Sequence, residues 1–144
     1  MISTDSIMGG KSSAEMKVVD GGANSDAHSL DVSGTVDGGL PFAWAGVMFS
    51  PSARPFAPVN LSARKSISFW AKGDGKTHRV LLFTESGGRM PAQQTFEAGS
   101  AWKRVRFPFS VFNGTDGHDV SAILFVGGPA EGKFAFQIDE IRVE

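Results

Sequence analysis

Cysteine is absent from this chain, and with it go disulfides, thiol nucleophiles and cysteine-bound zinc or iron–sulfur centres. That absence leaves oxidising and reducing compartments equally open. Tyrosine is missing too, so the aromatic content rests on twelve Phe and three Trp. An excess of one charge is also lacking: 14 Lys and Arg meet 15 Asp and Glu, for a net charge of −1. So even a balance offers no basic surface for nucleic acid, and the scattered acids form no tail for a polycation. No segment approaches the roughly 18 apolar residues of a membrane helix, so membrane insertion is not expected. The first residues carry no secretory leader pattern. Helical periodicity is equally scarce, since no window of eleven residues shows a convincing apolar stripe.

What remains is a chain of 144 residues with 18 Gly and seven Pro, turned often around an aromatic core. This is the composition of an all-β domain. The segment HSLDVSGTV, residues 28–36, sets Leu30, Val32 and Val36 against Ser29, Asp31, Ser33 and Thr35. Such period-two alternation marks a half-buried strand. SISFWAK repeats it, with Ile67, Phe69 and Ala71 opposed to Ser68, Trp70 and Lys72. Further strands are predicted over 14–19, 44–49, 78–85, 92–97, 102–107, 120–126 and 133–143. Turn chemistry separates them: DGG, GDGK, SGG, FNGTDG and GGPAEG. About nine short strands without helices predict a two-sheet antiparallel β-sandwich. In the last strand Phe134, Phe136 and Ile138 share one parity, whereas Ile141 and Val143 take the other. The slip at Asp139-Glu140 predicts a β-bulge. With no repeat, linker or low-complexity stretch, residues 1–144 form one domain, whether alone or within a longer protein.

Chemistry leaves few traces. His28, His78 and His118 stand singly, without metal-ligand spacing. His118-Asp119 is half of a catalytic dyad or, in its Gly-rich turn, a solvated loop pair. Gly127, Gly132 and Lys133 have P-loop spacing, but Phe134 replaces the magnesium-binding hydroxyl and a strand replaces the helix. GGPAEGKF therefore reads as a hairpin turn, as does Asp74-Gly75. No enzyme activity is expected of this domain.

A binding module is the better expectation. Alternation puts Trp70 opposite the core, where an indole can cover the apolar face of a sugar or be covered itself by a loop. Arg79 lies opposite Val80 and Leu82 on the next strand, and Arg89, Gln93 and Gln94 follow. Trp70, Arg79, Arg89 and Gln93 are thus the predicted ligand face, with a carbohydrate as the ligand. A protein partner or fused catalytic domain docked on that face is the alternative. Trp102 is expected to close the end of the sandwich. No cofactor is expected, except that Asp139 at the bulge either caps freed amides or ligates a structural calcium.

Several fragments, in order, resemble the complex I intermediate-associated protein 30 family. They are DSIMGGKS (with Asp5, Met8, Gly9, Gly10 and Ser12), LDVSGTV, NLSARKSISFWAKGDGKTHRVLLFT, AQQTF, WKRVRFPFSVF and GKFAFQIDEIRV. The resemblance spans roughly residues 4–143 and implies a galactose-binding-like jelly roll, an architecture shared with carbohydrate-binding modules. Mitochondrial members are assembly chaperones for respiratory complex I. Bacterial members occur alone or appended to other proteins, amidohydrolases among them. WAGVMFS stands where many members carry Gly-Gly-Phe, and a bacterial periplasm or cytoplasm is expected rather than a mitochondrion. No catalytic residues transfer. For DSIMGGKS the expectation is architecture: Ile7 and Met8 plug one end of the sandwich, and Gly9-Gly10 permit a turn or close packing. Asp5 or Ser12 satisfies the amides that turn exposes. A loop-edge ligand site is the other reading.

Overall fold

A computed structural model describes residues 1–88 and 90–144. Ten strands run in chain order: β1 (Ile2–Thr4), β2 (Ser13–Asp20), β3 (His28–Val36), β4 (Ala45–Phe49), β5 (Ser66–Gly73), β6 (Thr77–Thr84), β7 (Ala92–Glu97), β8 (Lys103–Pro108), β9 (Val120–Gly127) and β10 (Gly132–Val143). They form two five-stranded sheets with every pairing antiparallel. The first sheet has the order β1-β4-β9-β6-β7 and the second β2-β3-β10-β5-β8. The all-β sandwich read from the sequence is the observed one. Only the three-residue β1 lay outside the expected strands, being too short to show a period.

The core lies between the sheets. Val32, Phe134, Phe136 and Ile138 of the second sheet meet Val47, Val80, Leu82 and Phe125 of the first. Phe69 stands at its centre, edge-on to Phe96 at 5.1 Å and to Phe125 at 4.9 Å between centroids. Edge-to-face contact suits the ring quadrupoles, and each buried ring contributes about 2–3 kcal/mol through area alone.

Apart from the bulge in β10, the second sheet alternates, so its outer face is mainly polar. The first sheet does not. Trp44, Met48, Leu81, Ala122, Leu124 and Val126 form a second buried apolar cluster, joined by Phe42 and Phe83. By strand parity this cluster covers the outer face of β4, β9 and β6.

The two turns read as hairpins connect different sheets instead. Gly73–Thr77 leads from β5 in the second sheet to β6 in the first, and Gly127–Gly132 from β9 in the first to β10 in the second. Asp74 holds the first crossing together: its Oδ1 accepts the Lys76 amide at 2.9 Å and its Oδ2 the Ala135 amide at 2.9 Å. A turn signal fixes a chain reversal but not the strand that will pair with the returning chain. The predicted bulge is present, with the β10–β5 register shifting between Asp139 and Arg142 and Glu140 at φ 49°.

Candidate functional site

The N-terminal motif builds one wall of a groove. Asp5–Met8 form a single 3-10 turn, and the Asp5 carboxylate is fully buried. Its Oδ1 accepts the Ser12 amide at 3.1 Å, and its Oδ2 accepts the Ser12 hydroxyl at 2.8 Å and the Trp44 amide at 3.2 Å. Ser12 Oγ in turn accepts the Asp37 amide at 2.9 Å. Gly9 closes the turn at φ +85°, and a Cβ on Gly10 would lie 2.3 Å from Asp5 Oδ1. Both glycines are therefore required, one for its backbone angle and one for close approach.

Ile7 and Met8 do not plug the sandwich as expected; they are 81% and 49% exposed. The inward position of the turn belongs to Asp5, which alone meets three donors, and the apolar pair is left outside. There it walls a groove of about 550 Å³ with Trp44, Met48, Phe83 and Leu124 beneath. Phe56 stands on the other side. It occupies the third position of the Arg54–Ala57 turn, closed by the Ala57 amide on the Arg54 carbonyl at 3.1 Å. Its φ is +63° and it is 62% exposed. A bulky residue in that region costs about 1–3 kcal/mol and favours replacement by glycine. Nothing in the sequence marks this residue, since Pro-Phe gives no sign of a positive φ. The groove's polar atoms are already engaged: Trp44 Nε1 donates to Ser3 Oγ at 3.2 Å, and Ser121 Oγ to the Phe83 carbonyl at 3.1 Å.

Arg79 and Trp70, expected on one face, lie on opposite faces of the sandwich. Each points away from its own core, but β6 and β5 belong to different sheets. Arg79 is also inaccessible. Its Nη2 donates to the Ala43 and Gly127 carbonyls at 2.7 and 2.8 Å, and the Phe42 ring lies 5.5 Å from Cζ. Burial pulls its pKa down to about 10. It ties β6 to the entry of β4 and the end of β9. Gln93 is exposed on the edge strand β7, opposite Leu81, so it shares Arg79's face rather than Trp70's. Arg89 lies outside the described residues.

Trp70 is half-buried on the polar outer face of the second sheet. It faces Arg104 on one side and Asp139 on the other. One row along, Lys72 pairs with Gln137, which pairs with Asp31. These three line a depression of about 440 Å³ with Ser100. Lys72 Nζ lies 5.1 Å from the Trp102 ring centroid, a cation–π contact that holds both side chains. Trp102 thus serves this face rather than simply closing an end. Among the described residues, no protein hydrogen bond takes up the Asp31 carboxylate or the Lys72 ammonium.

Asp139 has both oxygens on backbone amides, Oδ2 on Ala23 and Oδ1 on Glu140, each at 2.9 Å. This is the capping role, and no group of three or more His, Cys, Asp or Glu able to hold a metal is found among the described residues. His118 is exposed beside Asp116, with Asp119 3.7 Å from its Nε2. Its bond to Asp116 and the two carboxylate charges raise its pKa. Asp119 Oδ2 meanwhile accepts the Ser86 amide at 2.7 Å, so the pair sits in a turn that it helps to tie.

No curated protein matches the sequence. Among solved structures, the chain is similar to the family 11 carbohydrate-binding module of the cellulosomal cellulase Lic26A-Cel5E of Clostridium thermocellum. Identity is 20% and the TM-score 0.76, over 99% of this chain and 85% of that one. The family 11 module from the same organism in complex with a β-1,3-1,4-mixed-linked tetrasaccharide gives 20% and 0.74, over 99% and 86%. A family 30 module of the cellulase Cel9D-Cel44B of Clostridium thermocellum gives 15% and 0.64, over 90% and 81%. These likenesses establish the jelly-roll fold. The family model of complex I intermediate-associated protein 30 matches residues 1–123, so the chain belongs to the complex I intermediate-associated protein 30 family.

Proposed function

We propose that this domain is a non-catalytic binding module whose polar outer face, centred on Trp70, takes a carbohydrate. The observation that carries the reading is a half-exposed indole on the same face as the Asp31 carboxylate and the Lys72 ammonium, with Gln137 beside them already accepting the Ser29 hydroxyl at 3.2 Å. A sugar ring stacks its C–H face on an indole, and its hydroxyls need donors and acceptors at the rim. Asp31, Lys72 and Gln137 supply both kinds beside Trp70. The solved neighbours named as carbohydrate-binding modules make sugars the first ligand class to try. Affinity electrophoresis against soluble polysaccharides tests the reading, with Trp70→Ala alongside. Retardation of the wild type by a glycan, lost in the variant, is the expected result. Wild-type protein unretarded by every glycan overturns it.

A second reading rests on the opposite face. Ile7, Met8 and Phe56 are exposed around an apolar groove whose polar atoms are engaged internally. Such a surface suits an apolar segment of a protein partner better than a hydroxylated ligand. An assembly role, which the family resemblance implies, would work through this groove.

A further inference from the structure

We infer that the carbohydrate of the Trp70 face is an anionic one, carrying carboxylate or sulfate groups; this rests on the carbohydrate reading just given. Three arginines from two strands converge beside the indole. Arg104 is the cross-strand partner of Trp70, while Arg106 and Arg142 flank Ser68 from either side. Arg142 arrives there because of the bulge. In an uninterrupted strand Asp139 and Arg142 would have opposite parity, whereas the register shift brings both onto the outer face. The chain as a whole carries a net charge of −1, so this corner departs from its general balance.

The cluster's present counter-charge is Glu144. Ser68 Oγ donates to Glu144 Oε1 at 2.8 Å, and Arg104 Nη2 lies 3.4 Å from the same oxygen. The Ser68 bond, with the charges of Arg104, Arg142 and Arg106, holds the Glu144 carboxyl below the usual range. Arg104 and Glu144 are each about half exposed, so water and a competing anion can reach the pair. Asp139, the next carboxylate along the face, turns both oxygens to backbone amides. Only Arg104 touches Glu144, while Arg106 and Arg142 stand exposed on the same face with no ion pair among the described residues. Planar forks match carboxylate and sulfate oxygens in pairs, and the adjacent indole supplies the surface for the ring that bears them.

Affinity gels cast with a polyuronate, a sulfated galactan and a neutral β-glucan distinguish the cases. Polyglutamate serves as an anion without a sugar ring. The variants are Trp70→Ala and the pair Arg106→Gln/Arg142→Gln, each checked for an unchanged thermal transition. The inference predicts retardation by the polyuronate or the sulfated galactan, whichever bears the fitting anion, and none by polyglutamate. Affinity should fall at least about tenfold in the arginine pair, the effect of losing charge-assisted bonds, and vanish in Trp70→Ala. Retardation by the neutral glucan alone, unchanged in the arginine pair, overturns the inference and keeps the carbohydrate reading. Acidic glycans that bind Trp70→Ala as well as wild type, or binding to polyglutamate, would mean simple charge attraction and overturn it too. No retardation on any gel overturns both.

Discussion

The two outer faces of this sandwich follow opposite rules. The second sheet is apolar inward and polar outward, so Asp31, Gln137, Lys72 and Trp70 meet solvent. In the first sheet β4, β9 and β6 carry apolar side chains on both sides, with Arg79 buried on their outer face, and that face is covered by Trp44, Phe42 and the N-terminal turn. That cover is incomplete, and what remains open is the groove between Ile7, Met8 and Phe56. Each face thus offers a different chemistry: hydrogen-bonding groups around an indole on one, and apolar contact with engaged polar atoms on the other. On the proposed function, a polar ligand and an apolar segment would occupy separate faces and would not compete.

The largest effect is expected from removing the carboxylate that assembles the apolar face. Asp5→Ala leaves three buried donors without their acceptor, at a cost of roughly 3 kcal/mol or more. Denaturant titration should show the loss of stability, and a dye for exposed apolar surface should bind the variant more strongly. An unchanged midpoint would mean that the turn is not held by Asp5.

Acid comes next. His78 is fully buried among Phe96, Phe134 and Phe136, with Nε2 3.0 Å from Asp74 Oδ1. Burial lowers its pKa although Asp74 opposes the shift. Asp74 itself is lowered by its backbone bonds to Lys76 and Ala135 and by His78, against the effect of burial. In both cases the unfolded chain binds the proton more readily, so stability rises with pH through these transitions. Stability should fall as pH drops below about 6.5, the ordinary histidine value, and fall further through the carboxylate range. Thermal melts from pH 7.5 to 4 check this. His78→Phe should flatten the upper part of the decline; an identical slope would assign the loss to other groups.

The smallest effect has the opposite sign. Phe56→Gly relieves a positive φ on a bulky residue while loosening the unfolded chain, for a net gain below about 1 kcal/mol. Sugar binding at Trp70 should be untouched. A clear loss of stability would show that Phe56 packs rather than projects.

Much of this was legible beforehand, and the misses share a cause. Alternation located nine strands, and the phase slip in FAFQIDEIRV located the bulge. Parity correctly turned both Trp70 and Arg79 away from the core. It could not say that their strands belong to different sheets, because pairing is settled by long-range contacts rather than local pattern. Uninterrupted apolar runs such as VLLF at 80–83 and AILFV at 122–126 carried the missing signal. A strand apolar on both faces must be covered on both, which points to the first sheet and its second cluster. In DSIMGGKS, Asp5 and Ser12 make the bonds that hold the turn, and Gly9 and Gly10 supply its backbone angle and close approach. Its apolar pair went outward because the buried position of the turn was filled by a carboxylate.

The most direct test titrates wild type, Trp70→Ala and Phe56→Gly side by side with the glycan that retards the domain most. The two-face account predicts that Phe56→Gly binds like wild type and that Trp70→Ala does not bind. Binding kept by Trp70→Ala and lost by Phe56→Gly would place the sugar in the apolar groove and contradict it.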